Sequence, residues 1–336
     1  MDWSKFIVVG ENIHCTRIVK REGTRTTTLP DGRTGVVFGN QAMPVPGNWE
    51  TVSPAYAQGN IKHAALAIWQ MRHGQGEDRL LGEKYLLWMA DRQVRSGAQF
   101  LDVNVDEYST DPAETTDVMA FVVDFLGSRF ATPLSIDSSN LNVLRVGLQH
   151  CRRDVRPPML NSVSLERPEA AKVAAEFKAD VIVNAAGESG MPANADERMA
   201  NLRRIIAILG GLGVPLGKMH LDPLVLPIST DPANGQRFLE ATRRARAEFA
   251  GVHLSGGLSN ISYGMPNRKL LNMVFAWVCV EAGTDGGIID PVSMSAKAIS
   301  ELDPNSEPFK LAKAVLTGED MFGMEYITAH REGKLG

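Results

Sequence analysis

Eight short apolar runs, each leading to an acid or an amide, constrain this chain more than any other feature. Phe6-Ile7-Val8-Val9 leads to Glu11 and Asn12, Phe100-Leu101 to Asp102 and Asn104, and Leu134-Ser135-Ile136 to Asp137. Met159-Leu160 leads to Asn161, Val181-Ile182-Val183 to Asn184, and Met219-His220-Leu221 to Asp222. Val252-His253-Leu254 runs into Gly256-Gly257-Leu258-Ser259-Asn260, and Ile288-Ile289 into Asp290. Helix-like segments separate most of these runs. Strands alternating with helices form a parallel sheet. Eight units favour closure into a (β/α)8 TIM barrel over an open doubly wound sheet. A polar group at nearly every strand's carboxyl end belongs to that architecture, because its functional site is built there. One such residue on its own is equally well a turn former or a helix cap; the whole set is not so easily explained.

The bulk properties are compatible with this. At 336 residues, 44% hydrophobic and 22% charged, the chain can bury a large core and is not disordered. A net charge of −4 argues against nucleic-acid binding through bulk charge. No run approaches the ~18 apolar residues of a membrane span, and the N-terminus lacks a signal-peptide pattern. Cys15, Cys151 and Cys279 are far apart, which suits a reducing cytoplasm and gives no zinc or disulfide signature, so no metal site is expected.

Along the chain, the first strand is expected at 6–9. A Thr-, Gly- and Pro-rich stretch follows, with a hairpin turned at Asp31-Gly32. Helices are expected at 60–73, 79–96, 112–127, 140–150, 168–177, 196–209, 233–249 and 266–282. Pro112 and Pro168 stand at first turns, and Leu202, Ile205, Ile206 and Leu209 form an apolar stripe. Residues 293–330 add one or two helices. With no central linker and no repeat, the reading is one domain over 1–336, with a long insertion at 15–78 on the barrel mouth and C-terminal helices at 293–330.

The usual catalytic signatures are missing: no GxGxxG opening a helix after the first strand, no GxSxG, no HExxH and no Walker loop. The histidines form no ligand spacing, and His220 and His253 read as packed or hydrogen-bonded strand residues. What remains is a pocket of carboxylates and amides. A carboxylate accepts two parallel charge-assisted hydrogen bonds, and an amide donates and accepts together. Asp137, Asn161 and Asp222, at the ends of different strands, suit the edge of a flat ring rich in N–H donors, such as a 2-amino-4-oxo pyrimidine.

The segments Gly10-Glu11-Asn12-Ile13, Leu101-Asp102-Val103-Asn104, Ser135-Ile136-Asp137-Ser138-Ser139-Asn140, Leu160-Asn161-Ser162-Val163-Ser164, Leu221-Asp222-Pro223 through Pro227 and Gly257-Leu258-Ser259-Asn260-Ile261-Ser262 occur in order. Together they resemble the pterin-binding methyltransferases. These are the methyltetrahydrofolate:corrinoid-protein methyltransferases, related to the folate domain of cobalamin-dependent methionine synthase and more distantly to dihydropteroate synthase. The likeness covers 5–14 and about 80–300. Pro227-Ile228-Ser229-Thr230 and Gly264 through Lys269 look closest to the branch serving methylamine, betaine or O-demethylation pathways.

The resemblance implies a methyltransferase of one-carbon metabolism, moving a methyl group between a corrinoid and N5 of tetrahydrofolate. By motif position, Asp137, Asn161 and Asp222 would hold the pterin edge. Asp102 and Asn104 would lie in the floor or just behind it. Asn260 would be the catalytic residue near N5, with Ser259 beside it, and Arg268 matches an arginine eight residues beyond that asparagine. No Asp-x-His-x-x-Gly cobalamin signature is present, so the corrinoid (cobalamin) would arrive on a partner protein. Family members are commonly homodimers.

Departures from the family pattern are Asp106-Glu107-Tyr108, which would add negative charge near the mouth, and Tyr263, where some relatives carry an amide. The alternatives are a non-catalytic pterin or corrinoid-partner subunit of a methyltransferase complex, and a dihydropteroate synthase-like enzyme. The second would need a basic pyrophosphate site that is not seen.

Overall fold

The computed structural model describes residues 3–335; the first two residues and the last, which the single-domain reading of 1–336 includes, lie outside the described residues. In chain order, β1 (Ile7–His14) is followed by β2 (Ile18–Lys20), β3 (Thr26–Thr28), β4 (Thr34–Phe38), β5 (Gln41–Pro44), α1 (Trp49–Val52), β6 (Asn60–Lys62) and α2 (His63–His73). Then come α3 (Gly76–Arg95), β7 (Phe100–Asn104), α4 (Pro112–Gly127), β8 (Leu134–Asp137), α5 (Leu141–His150), β9 (Met159–Val163), α6 (Ala170–Phe177) and β10 (Asp180–Asn184). The chain continues with α7 (Ala195–Gly211), β11 (Met219–Asp222), α8 (Asn234–Glu248), β12 (His253–Leu254), α9 (Arg268–Ala282) and β13 (Gly286–Ile289). It closes with α10 (Ala296–Ser300), α11 (Glu307–Thr317) and α12 (Met324–Arg331).

Eight of the strands form one parallel sheet in the order β12-β11-β10-β9-β8-β7-β1-β13. All eight are the expected apolar runs. The sheet's two end strands meet: Ile288 N–H donates to Gly256 O at 2.9 Å and Asp285 N–H to Leu254 O at 3.0 Å. The fold is that of a (β/α)8 barrel, as the alternation required.

The chain divides into two compact units. One comprises the chain up to Gly10, Ser96–Phe100 and everything from Pro157 onward. Its core is built by Ile7, Val9, Phe100, Met159, Ile182 and Ile288, all at most 8% exposed. At about 1.5–3 kcal/mol per buried large side chain, this cluster is a major support of the unit. His220 is buried and stacks on His253 with ring centroids 4.7 Å apart. The His253 Nδ1 lies 2.9 Å from Asp285 Oδ2 at the strands' amino-terminal side. Both histidines are therefore structural.

The other unit comprises Glu11–Arg95 and Leu101–Arg156. The Asp31-Gly32 hairpin is present: β3 pairs antiparallel with β4, and Gly32 takes φ +84°, a conformation that glycine adopts without cost. The insertion is a packed module. β2 pairs with β6, and β3-β4-β5 form a separate small sheet. Val36, Met43 and Trp49 are almost fully buried. Phe38 lies edge-on to Tyr85 of α3 at 5.0 Å, and Gln70 Nε2 of α2 donates to Pro44 O at 2.7 Å.

Several boundaries differ from expectation. β1 runs to His14 rather than stopping at Val9, because the apolar signal breaks at Gly10 while the strand itself continues. Residues 60–62 are strand, not helix, because they pair with β2. α6 begins at Ala170 rather than at Pro168, and the tail holds three helices instead of one or two.

Candidate functional site

In the unit containing β7 and β8, the strand ends build a tight cluster. His14 Nε2 lies 2.6 Å from Asp102 Oδ2 and 3.8 Å from Asp137 Oδ2. Asn104 Nδ2 donates to the same Asp137 oxygen at 3.0 Å, and Asn104 Oδ1 accepts from the Asp106 amide at 3.0 Å. Asn104 thus both caps its turn and holds Asp137. Asp102 is fully buried, while Asp137 keeps about 25% of its side chain exposed.

Burial opposes protonation of His14. The hydrogen bond to Asp102 and the charges of Asp102, Asp137 and Glu11 outweigh it, so its pKa is raised. Asp137 is pushed up by burial and by Asp102, against the opposing pull of His14 and Asn104. His14, Asp102 and Asp137 present donor atoms within 4.8 Å of one another, compact enough to invite comparison with a cation site. In the structure these groups engage one another: the imidazole nitrogen is bonded to Asp102, and the surrounding carboxylates favour its protonated form.

Asp106 adds its negative charge at the strand ends within a hydrogen-bonded clamp. Its carboxylate accepts from the Ser139 amide at 2.7 Å, from the Ser139 hydroxyl at 2.8 Å and from the Ser138 hydroxyl at 2.5 Å. Glu107 is paired with Lys62 at 2.9 Å. The negative charge expected from Asp106 is thus present, and the same carboxylate holds the loop after Asp137.

The unit built on β9 to β13 carries the other strand-end residues. Asp222 is 6% exposed. It accepts from Leu224 N–H at 2.8 Å and from the Gly257 amide. Burial raises its pKa to about 6, against those two bonds and the charge of Arg198. Leu224 adopts φ +70°, a left-handed conformation that is costly for a γ-branched residue and tends to persist at functional loops. Asn161 stands half-buried within β9.

Asp222 and Asn260 both border the Gly256-Gly257 turn. A β-carbon on Gly256 would lie 3.1 Å from Asp222 Oδ1, and one on Gly257 would lie 2.9 Å from Asn260 Nδ2. Asn260 is exposed. Arg268 holds this turn: its Nε donates to Ser262 Oγ and its Nη2 to Ser259 O, each at 3.0 Å. Its guanidinium also lies 4.2 Å from the ring centre of Tyr263. Asn184 and Asp290, by contrast, cap turns at Ala186 and Val292, the ordinary role of strand-end polar residues.

Sequence reasoning missed three residues. His14 was hidden by the early end assigned to β1. Asp106 stands out in the sequence only as added negative charge near the mouth, with no sign of its clamp on Ser138 and Ser139. Arg198 on α7 is fully buried, its Nε and Nη1 have no hydrogen-bond partner, and its charge acts on Asp222. A signal for Arg198 was present: 198, 202, 205 and 209 form one apolar-spaced stripe.

The model of the pterin binding enzymes matches residues 81–290. A methylcorrinoid:tetrahydrofolate methyltransferase of Eubacterium limosum is 25% identical over 266 residues, covering 77% of this chain and 92% of the relative. A methionine synthase of Mycobacterium tuberculosis is 32% identical over 230 residues, covering 63% of this chain. The match spans only 19% of that relative's own length. Among solved structures, a dihydropteroate synthase of Xanthomonas albilineans with 4-aminobenzoic acid superposes with a TM-score of 0.54 at 18% identity, covering 67% of this chain and 87% of the other. That likeness is one of fold.

Proposed function

The chain belongs to the pterin binding enzymes, and from that premise we propose that it is a methyltransferase moving a methyl group between a corrinoid and N5 of tetrahydrofolate. The observation that carries the reading is the convergence of Asp222 and Asn260 on the Gly256-Gly257 turn. A buried carboxylate suited to a donor-rich ring edge and an exposed amide able to donate and accept thus border the same turn. The Eubacterium limosum relative, matched over nearly its whole length, supports the same assignment.

On this reading Asp222, Asn161 and Asp137 bind the pterin edge, with Asp102 and Asn104 supporting Asp137. Asn260 is the catalytic residue, and Ser259 and Arg268 fix its turn. In the direction of folate methylation, the N5 lone pair attacks the methyl carbon, the cobalt–carbon bond breaks with its electrons left on cobalt, and N5 releases a proton. In the reverse direction cobalt attacks the methyl carbon, and N5 leaves with the bonding electrons and takes up a proton from solvent. Asn260 donates to N5 as that charge develops or orients its lone pair, without forming a covalent intermediate. The protein supplies alignment and electrostatics, and the corrinoid supplies the reactive centre.

The corrinoid is a substrate carried by a partner protein. The three cysteines are buried and unpaired, in keeping with a cytoplasmic setting, and among the described residues no helix is long and apolar enough to cross a membrane. A homodimer is supported by exposed Met321, Phe322 and Met324 beside one another in the tail.

Calorimetric titration with tetrahydrofolate and 5-methyltetrahydrofolate, beside Asp222→Ala, tests the pterin assignment. Micromolar binding abolished by the substitution is expected, and absence of binding by the unmodified protein would remove the assignment. Turnover of the isolated chain with free methylcobalamin separates an enzyme from a non-catalytic subunit.

A further inference from the structure

We infer that His14 is a positioning residue: bonded to buried Asp102 and set beside Asp137, it supplies positive charge that favours the ionised form of Asp137 for ligand binding. The inference rests on the reading of Asp137 as a ligand-binding carboxylate.

Three facts carry it. His14 Nε2 is 2.6 Å from Asp102 Oδ2 and 3.8 Å from Asp137 Oδ2, so one imidazolium faces two carboxylates. Asp102 is fully buried and cannot be relieved by water. The other polar contact of the Asp137 carboxylate among the described residues is the neutral amide of Asn104 at 3.0 Å, so His14 is the cation nearest to it.

The surrounding charges do not replace His14. From β1 itself, Glu11 faces it but is paired with Arg17 at 2.7 Å. From the segment after β7, Asp106 bears on Asp137 as a further negative charge held by Ser138 and Ser139. Glu107 is neutralised by Lys62, and the neighbouring Cys15 thiol is buried with its pKa raised, so it stays neutral. Two close, desolvated carboxylates hold one proton between them unless a cation intervenes. A ligand presenting paired N–H donors needs both Asp137 oxygens as acceptors, and a proton on that carboxyl would turn one acceptor into a donor.

The test follows the carboxyl carbon of Asp137 by NMR in protein labelled with 13C-aspartate, assigned through Asp137→Asn. It compares the unmodified protein with His14→Gln, which keeps a donor toward Asp102 but carries no charge. The titration midpoint of Asp137 should move up by one pH unit or more in H14Q. Tetrahydrofolate affinity at pH 7 should fall about tenfold and recover by pH 9. An unmoved midpoint would overturn the inference, as would a titration abolished by micromolar zinc ions, which would mark a metal site instead. Because the midpoint is read in ligand-free protein, failure of tetrahydrofolate to bind the unmodified chain would sink the pterin reading while the midpoint still decides the role of His14. Stability measured alongside separates a charge effect from loss of structure.

Discussion

Asp106 closes onto Ser139 through two hydrogen bonds, 2.7 Å from the amide and 2.8 Å from the hydroxyl. The bonds join the turn after β7 to the turn after β8, two residues beyond Asp137. A carboxylate accepting several bonds acts as a clamp, and hydrogen bonds to charged groups are the stronger kind. Asp106→Ala is expected to cost roughly 2 kcal/mol of stability and to weaken tetrahydrofolate binding by loosening the Asp137 loop. Asp106→Asn should restore part of both. Chemical denaturation and calorimetry on the three proteins check this; unchanged affinity in the alanine variant would show that the loop is positioned without the clamp.

Asp222 predicts a trade between stability and function. Its pKa rises on folding to about 6, so the folded chain binds more protons than the unfolded one between the ordinary carboxylate range and that value. Stability therefore falls as pH rises through this window, and above it the ionised Asp222 costs on the order of 2–3 kcal/mol. Asp222→Asn should raise the melting temperature at pH 7.5, with the gain vanishing near pH 4, while tetrahydrofolate binding is lost. A variant less stable than the parent at pH 7.5 would contradict the sign.

Arg198 yields a prediction of opposite character. It is fully buried with two guanidinium nitrogens unpartnered, and it lowers the pKa of Asp222. Removing one partner of a buried charge pair leaves the other uncompensated and is destabilising. Arg198→Met is therefore expected to be less stable than the parent at pH 7.5, by a margin that narrows near pH 4, where Asp222 is protonated. Asp222, deprived of its cation, then holds its proton to higher pH. Tetrahydrofolate affinity should fall several-fold at pH 7 and return toward the parental value by pH 9. A loss independent of pH would mean that Arg198 shapes the loop rather than its charge state.

These residues show where the sequence was readable. The eight strands were, because apolar runs ending in acids and amides are a local signal that the barrel repeats. The convergence of Asp222 and Asn260 was readable only through family likeness, since nothing in their spacing of 38 positions brings them together. His14 was not, because β1 continues through the polar Glu11 and Asn12, where alternation gives no cue. Nor was the role of Asp106, whose partners lie 32 and 33 residues away. The packing of the insertion was not legible either: Val36, Met43 and Trp49 are buried, although the Thr-, Gly- and Pro-rich stretch carries no periodic apolar signal.

Asn260 and Gly257 separate position from presence. If Asn260 interacts with N5 chiefly in the transition state, Asn260→Ala should lower kcat about 10²–10³-fold and change tetrahydrofolate affinity little. Gly257 provides a subtler test. Its φ of −72° suits any residue, so alanine there should not strain the backbone and stands to stabilise the chain slightly through the unfolded state. The added methyl would lie 2.9 Å from Asn260 Nδ2, too close to coexist, and the mobile end of the amide must swing aside. Gly257→Ala should therefore retain or gain thermal stability, bind tetrahydrofolate nearly normally, and lose kcat by a smaller factor than Asn260→Ala. In the double variant the two losses should fail to add, because a displaced amide and an absent one remove the same interaction. Full additivity would mean that Gly257 acts on the reaction by another route.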